Sequence, residues 1–126
     1  MEYIAYVGEK FVIEWYYEDN SECEVLEYFE TLNETAQNKL FYLLKRIGDF
    51  GIISDKTKFR NEGDLVFAFK PQPHRFLCFF TSGKKIIITN GFYKKTDKLP
   101  KEQKEKAIKF MKNYLKRVKE GTYYEN

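Results

Sequence analysis

Cysteine and histidine are scarce in this chain, whose 126 residues include two cysteines and one histidine. Cys23 and Cys78 lie beside apolar or acidic neighbours and lack the short spacings of metal-binding or redox pairs. We therefore expect both to be free, buried thiols without a function of their own. We also expect no metal ion and no other cofactor.

Long apolar runs are absent as well. No stretch approaches the ~20 consecutive apolar residues that span a bilayer, and the opening Met1 to Ala5 carries an acid where a secretory signal carries cations. These absences predict a soluble, cytoplasmic protein that does not act at a membrane. Hydrophobic residues make up 43% of the sequence and aromatic residues 18%, which is enough for one core. We therefore expect residues 1–126 to form a single domain.

The small net charge of +3 hides a strong asymmetry along the chain. Residues 1–64 hold 7 Lys and Arg against 14 Asp and Glu, a net charge of −7, whereas residues 84–119 hold 13 against 3, a net charge of +10. A basic segment of this size suggests a polyanionic partner, although a lysine-rich helix can also simply solvate its outer face.

The first half of the chain predicts one strand and two helices. Residues 10–18 alternate, with Phe11, Ile13, Trp15 and Tyr17 on one face, which is typical of a half-buried strand. Ser21 and Glu24 have capping-box spacing. They predict a short helix that buries Val25, Leu26, Phe29 and Leu32. A second amphipathic helix is predicted from about Asn33 to a glycine cap at Gly48, so that the two helices form a hairpin.

The second half predicts three strands and a last helix. Residues 49–63 lack a sustained period and are interpreted as a loop. Residues 64–70, 75–81 and 84–89 are rich in aromatic and β-branched residues, and their short connections predict antiparallel neighbours. A helix should begin at Pro100 and end at about Glu120, before Gly121. Its predicted inward residues are Ala107, Met111, Tyr114, Leu115 and Val118.

This order predicts an α+β domain: an antiparallel sheet of about four strands with an N-terminal helical hairpin and a C-terminal helix. The helices should cover one face of the sheet and leave the other face open. On residues 64–70, we expect Leu65, Phe67 and Phe69 to face the helices. Val66, Ala68 and Lys70 should point toward the open face.

The segment from Gly91 to Pro100 combines aromatic residues and lysines directly before the last helix. Lysines at a helix N-terminus, here Lys98 and Lys101, are unfavourable because that end of the helix already carries partial positive charge. A bound phosphate would relieve this repulsion. Phe92 and Tyr93 could stack on the bases of a single strand, so we predict that they bind RNA together with Lys98 and Lys101.

Several segments resemble the core of the RelE/ParE toxin superfamily, and in particular its phage-derived, HigB-like branch. They are residues 69–76, Gly83, residues 86–88 and residues 91–100. The specific element is a pattern of Phe, any residue, Lys-Lys-Thr, any residue, Lys, any residue and Pro before the last helix, and Phe92 to Pro100 matches it throughout. The resemblance extends over nearly the whole chain.

The resemblance implies a toxin of a bacterial type II toxin–antitoxin system. Such a toxin cuts messenger RNA on the ribosome, inhibits translation, and is neutralised by a helix-turn-helix antitoxin. Members of the family cleave without a metal ion: the ribose 2′-OH attacks the adjacent phosphate while basic side chains stabilise the transition state. Carried over by position, the catalytic residues are Lys70, Arg75, Lys94 and Lys95.

One position departs from the family pattern. Many relatives have an acid two residues before the basic residue of the strand, where this chain has Ala68, so the general base must come from elsewhere. His74 is the foremost candidate, because its unperturbed pKa lies near neutrality. Tyr93, Tyr123 and Tyr124 are weaker candidates for proton donation or stacking.

Two other functions stay open at this stage. ParE-like members of the same superfamily inhibit DNA gyrase without catalysis, and fold alone does not separate the two activities. The chain could also be a catalytically inactive protein that only holds an antitoxin or a phage partner.

Overall fold

The computed structural model describes residues 3–124, which form six strands and three helices. In chain order these are β1 (Ile4–Val7), β2 (Val12–Trp15), α1 (Glu24–Glu30), α2 (Glu34–Phe50), β3 (Phe59–Gly63), β4 (Val66–Phe69), β5 (His74–Thr81), β6 (Lys85–Tyr93) and α3 (Lys101–Glu120). None of these helices has both the length and the apolar composition that a membrane crossing requires.

The strands form one mixed sheet in the order β1-β2-β6-β5-β4-β3. The pairs β4–β5 and β5–β6 are antiparallel, as the short connections predict. The unpredicted strand β3 also pairs antiparallel with β4, but β2 runs parallel to β6. The α+β class is thus confirmed, whereas the prediction of about four strands, all antiparallel, is wrong. The two additional strands, β1 and β3, have only four and five residues. β3 lies in the segment predicted to be a loop, where the polar sequence Arg-Asn-Glu interrupts any apolar alternation.

Helices cover both faces of the sheet, so the predicted open face is largely closed. On one face, α1 and α2 enclose the main core with Phe69, Phe76 and Ile88. On the other face, α3 packs on Phe79 and Ile87 in one cluster and on a second cluster that contains Val66, Ala68 and Phe92. Strand β2 is consequently buried on both faces rather than half-buried: Glu14 is 6% and Trp15 4% exposed.

The predicted helical hairpin fits poorly. The seven-residue α1 packs on β6, whereas α2 packs on β1 and β2. No side chain caps α1, and Ser21 has a positive φ, so the predicted capping box does not form. Asn33 does cap α2, since its side chain accepts a hydrogen bond from the amide of Ala36 at 2.9 Å.

Helix α2 continues past Gly48 to a left-handed cap at Gly51. Gly48 is needed inside the helix for another reason. A Cβ at this position would lie 2.8 Å from the ring of Tyr6, and one at Gly8 would lie 2.3 Å from the backbone of Gly48. The β1–β2 turn therefore packs directly on the helix backbone.

Helix α3 begins after Pro100 and ends at Gly121, as predicted. Its buried stripe consists of Ala107, Phe110, Met111, Tyr114 and Arg117, whereas Leu115 and Val118 are 51% and 41% exposed. The inward prediction for these last two residues was therefore wrong. Arg117 is buried in their place because its guanidinium lies over the ring of Tyr123 and donates to the carbonyl of Tyr17 at 2.7 Å.

Strand β6 contains a β-bulge at Thr89. Asn90 pairs with Leu77, while Ile88 pairs with the next residue of β5, so Thr89 has no partner of its own in the register. Beyond the bulge, Phe92 lies on the α3 side of the sheet.

Both cysteines are free and buried, as predicted. Burial raises the pKa of the Cys23 thiol to about 11 and also raises the pKa of Cys78, so both are protonated at neutral pH.

Candidate functional site

A cavity of about 670 Å³ lies between the first turns of α3, strands β3 to β5 and the loop that precedes α3. We call it the groove. It brings together seven of the residues predicted to act on RNA: Lys70, Arg75, Phe92, Lys94, Lys95, Lys98 and Lys101. The charged residues come from three separate stretches of the chain, so the fold concentrates positive charge that composition alone does not locate.

The floor of the groove is apolar and well packed. Val66, Ala68, Leu77, Phe92 and Ala107 form one buried cluster beneath it. Ala68 is 1% and Phe92 8% exposed. The ring of Phe92 therefore supports the floor and leaves little area on which a base could stack.

Asn90 attaches the first turn of α3 to the sheet. Its buried side-chain amide donates to the carbonyl of Gln103 at 3.2 Å and to Oε1 of the same residue at 3.0 Å. Thr89 completes the contact by donating its hydroxyl to Oδ1 of Asn90 at 2.6 Å. Asn90, oriented by Thr89 at the bulge, thus holds the helix N-terminus beside the groove.

Arg75 is the most enclosed cation of the groove, at 8% exposure. Its Nη1 donates to the carbonyl of His74 at 2.9 Å and to Oε1 of Gln72 at 3.3 Å, which orients the guanidinium. Burial lowers its pKa, and the negative charges of Glu62 and Asp97 partly oppose that shift. A guanidinium remains protonated under these conditions, so Arg75 supplies a fixed positive charge.

Lys70 has a lowered pKa. Desolvation is the largest cause, and the positive charges of Arg75, Arg60 and Lys94 act in the same direction against the opposing effect of Glu62. Several cations therefore lie close enough to Lys70 to repel its ammonium group. An anion bound among them would remove this repulsion, which makes the groove suited to a phosphate.

The loop between β6 and α3 closes one side of the groove. It is held by the amide of Lys94, which donates to the carbonyl of Pro73 at 2.8 Å, and by the hydroxyl of Thr96, which donates to the carbonyl of Lys98 at 3.1 Å. The ammonium of Lys94 forms an ion pair with Asp97 at 2.8 Å. Lys95 and Lys98 are exposed and face solvent at the rim.

Carboxylates in the groove were missed by the sequence prediction. Asp97 lies in the loop, Asp64 forms an ion pair with Lys104 at 2.8 Å, and Glu62 lines the cavity from β3. No sequence signal located Glu62, because residues 49–63 lack the alternation that would have predicted a strand.

Glu62 owes its position to a second β-bulge. Asn61 pairs with Phe67 and Gly63 pairs with Val66, so Glu62 is an extra residue on β3. Bulges of this kind turn a side chain toward a site at the edge of a sheet. This chain, which has Ala68 where many relatives place an acid, thus presents a carboxylate from the neighbouring strand.

His74 and Tyr93 do not line the groove. They pair across β5 and β6, and their rings meet edge to face, with centroids 5.7 Å apart, on the side of the sheet that faces α1. Nδ1 of His74 lies 2.7 Å from the hydroxyl of Tyr28, so this nitrogen is hydrogen-bonded within the protein. Burial and the charge of Lys39 lower the pKa of His74, so the ring is neutral at neutral pH. Tyr93 is 58% exposed beside it.

The two C-terminal tyrosines also lie outside the groove. Tyr123 is 1% exposed, packed between α3 and β2, and the hydroxyl of Tyr124 donates to Glu14 at 2.7 Å. Within residues 3–124, no group of three or more His, Cys, Asp or Glu side chains is arranged to hold a metal ion.

Comparison with known proteins assigns the chain to a family. No curated protein matches the chain. A family model described as phage derived protein Gp49-like (DUF891) matches residues 27–112, more than half of the sequence, from α1 to the middle of α3. The matched region contains every residue predicted for the RNA site. The chain therefore belongs to the Gp49-like family of phage-derived proteins, which is related to the RelE/ParE toxin superfamily.

Proposed function

We propose that this protein is the toxin of a type II toxin–antitoxin system, of the HigB-like branch, and that it cuts messenger RNA on the ribosome without a metal ion. The observation that carries the proposal is the convergence of Lys70, Arg75 and Lys94 in one groove beside a helix N-terminus. Family membership supports the toxin class. The partner that neutralises it is a helix-turn-helix antitoxin.

The groove offers groups for each step of RNA cleavage. The ribose 2′-OH attacks the adjacent phosphorus, and its proton passes to the carboxylate of Glu62. The bond to the 5′-oxygen breaks, which leaves a 2′,3′-cyclic phosphate on one fragment. Arg75 and Lys94 stabilise the additional negative charge of the phosphorane, and loss of one such donor typically costs about 10²- to 10³-fold in rate.

Lys70 is the proposed general acid. Its lowered pKa means that the ammonium releases a proton more readily than an exposed lysine does, and the departing 5′-oxygen needs that proton. This assignment gives Glu62 and Lys70 opposite roles on two neighbouring strands.

Induced expression in a bacterium tests the proposal. The wild-type protein should stop translation and leave messenger RNAs with defined breaks that end in a 2′,3′-cyclic phosphate, and Arg75→Ala should abolish both effects. Because Arg75 is buried, Lys94→Ala provides a second variant, and a thermal melt shows whether each variant is folded. Arg46→Ala removes an exposed cation from α2, outside the groove, and should leave toxicity intact.

The alternatives give different results in the same experiment. Intact messages together with relaxed plasmid DNA would identify a gyrase inhibitor. Growth without any effect on messages or plasmids would identify a protein that only binds its partner. Either outcome would refute the proposed nuclease.

A further inference from the structure

A second cavity, of about 460 Å³, lies on the side of the sheet that carries α2. We call it the α2 cavity. The first three turns of α2 form one wall, and Lys58 together with the Pro71–Gln72 turn forms the other. Lys70 lines both this cavity and the groove. The two are therefore neighbours around the end of β4.

The walls of the α2 cavity combine an aromatic ring with uncharged hydrogen-bonding groups. Tyr42 is 64% exposed, so most of its side chain is available to a ligand. The side chains of Thr35, Asn38 and Gln72 line the same cavity. Sites that recognise a nucleobase typically combine these two features, a flat surface on which the base stacks and polar groups at its edge.

The charge of the α2 cavity is positive. Lys39, Lys58 and Lys70 line it, and none of the lining side chains that the structure describes is acidic. Two of these lysines belong to residues 1–64, the part of the chain with a net charge of −7. The cavity is thus a local concentration of cations in an acidic segment, which favours a phosphate next to the stacked ring.

We propose that the α2 cavity binds one nucleotide of a single-stranded RNA, with its base on Tyr42 and its phosphate among the three lysines. The path of that strand rests on the proposed function, because Lys70 would contact both this nucleotide and the phosphate that is cut. The presence of the nucleotide site itself does not require cleavage.

A titration with adenosine 5′-monophosphate, followed by the backbone amide signals of the protein, tests the site directly. We expect shifts in residues 35–43 and at Gln72. Tyr42→Ala should weaken binding about tenfold, since stacking on an aromatic ring contributes substantially per base. The matched control is Phe50→Ala, which removes an equally exposed ring (68%) from the far end of the same helix and should have no effect.

Ribose 5-phosphate separates the base from the phosphate. It should bind the wild-type protein no better than adenosine 5′-monophosphate binds Tyr42→Ala. Equal binding of the two ligands to the wild type would overturn the base site, and so would the absence of shifts in residues 35–43. Unchanged affinity of Tyr42→Ala for adenosine 5′-monophosphate would also overturn the base site.

Binding of a labelled hexanucleotide RNA distinguishes this proposal from the proposed function. If replacing Lys94 abolishes RNA binding but replacing Tyr42 does not change it, the RNA site in the groove is supported and the nucleotide site in the α2 cavity is refuted. If adenosine 5′-monophosphate binds the α2 cavity but expression leaves messages intact, the nuclease is refuted and the nucleotide site stands.

Discussion

The carboxylate of Asp97 lies 2.8 Å from Nζ of Lys94, inside the groove proposed to hold a phosphate. The hydrogen bond and charge of Lys94 are the main reasons why the pKa of Asp97 is lowered, and Arg75 and Lys70 add to the effect. The Asp97 side chain is fully exposed, so a polyanion can displace it. Asp97 is thus a competitor for the cations that RNA would contact.

Replacing Asp97 with asparagine should therefore tighten RNA binding. We expect a gain of about two- to fivefold at low salt, the range that an exposed ion pair allows. Fluorescence anisotropy with a short single-stranded RNA measures it. Glu24→Gln makes the same change in net charge at an ion pair with Lys106 outside the groove, and should have a smaller effect. Weaker binding by Asp97→Asn would show that Asp97 positions Lys94 instead of competing for it.

Binding of single-stranded RNA should depend steeply on salt. If about four phosphates are neutralised, affinity falls about 50-fold between about 50 and 200 mM salt, from a slope near −0.7 per contact. Lys94→Ala should reduce the slope by about 0.7. An affinity that does not change with salt would exclude phosphate contacts as the basis of binding.

Glu62→Gln should separate catalysis from binding. Removing a general base typically costs about 10²- to 10⁴-fold in rate, whereas RNA affinity should stay equal or rise because a negative charge is lost. Single-turnover cleavage and RNA binding, measured at the same pH, separate the two effects. Glu105→Gln alters another carboxylate at the groove and serves as the control. Equal losses of rate in both variants would remove Glu62 from its assigned role.

His74→Ala should leave cleavage near the wild-type rate, because the imidazole faces α1 and is hydrogen-bonded to Tyr28. Loss of that bond should lower the free energy of unfolding by about 1 kcal/mol. Because the folded pKa of His74 is lowered, the unfolded chain binds the proton more tightly. The contribution of His74 to the free energy of unfolding is therefore fully present above its unfolded pKa of about 6.5. That contribution is lost as the pH falls through the folded pKa.

Urea denaturation at several pH values checks this sign. The wild type should lose stability as the pH falls below about 6.5, and His74→Ala should lose less over the same interval. A large loss of cleavage by a folded His74→Ala protein would place the imidazole in the reaction after all.

The sequence predicted the elements whose residues carry a regular signal. Strands β4 to β6 are dense in aromatic and β-branched residues, and α3 is bounded by Pro100 and Gly121. It did not predict β1 and β3, which are short, nor the parallel pairing of β2 with β6, for which no local pattern exists. The start of α2 at Asn33 was predicted, but its end was misplaced because Gly48 serves close packing instead of capping.

The basic residues of the groove were predicted largely through the family pattern around Lys94. The carboxylates of the groove were not predicted, and Glu62 in particular belongs to an irregular edge strand that has no sequence signal. His74 was predicted as a general base because the unperturbed pKa of histidine lies near neutrality, and Tyr93 was predicted as an aromatic residue that could stack on a base; neither argument indicates which face of a strand the side chain occupies. Adjacent residues of a strand point to opposite faces, and the structure places His74 and Tyr93 on the face away from the groove.

The unpaired Thr89 decides which face each later residue of β6 occupies. Counting by twos from Ile86 would place Phe92 toward α1 and Tyr93 toward the floor of the groove, but the extra residue reverses both faces. Deleting Thr89 would make Ile88 and Asn90 adjacent, opposite Cys78 and Leu77 as they are now, so the strand would become regular while Asn90 and Phe92 kept their faces. The deletion would remove only the hydroxyl that donates to Asn90. A homologue with one residue fewer between Ile88 and Phe92 should therefore have a regular β6 and the same groove.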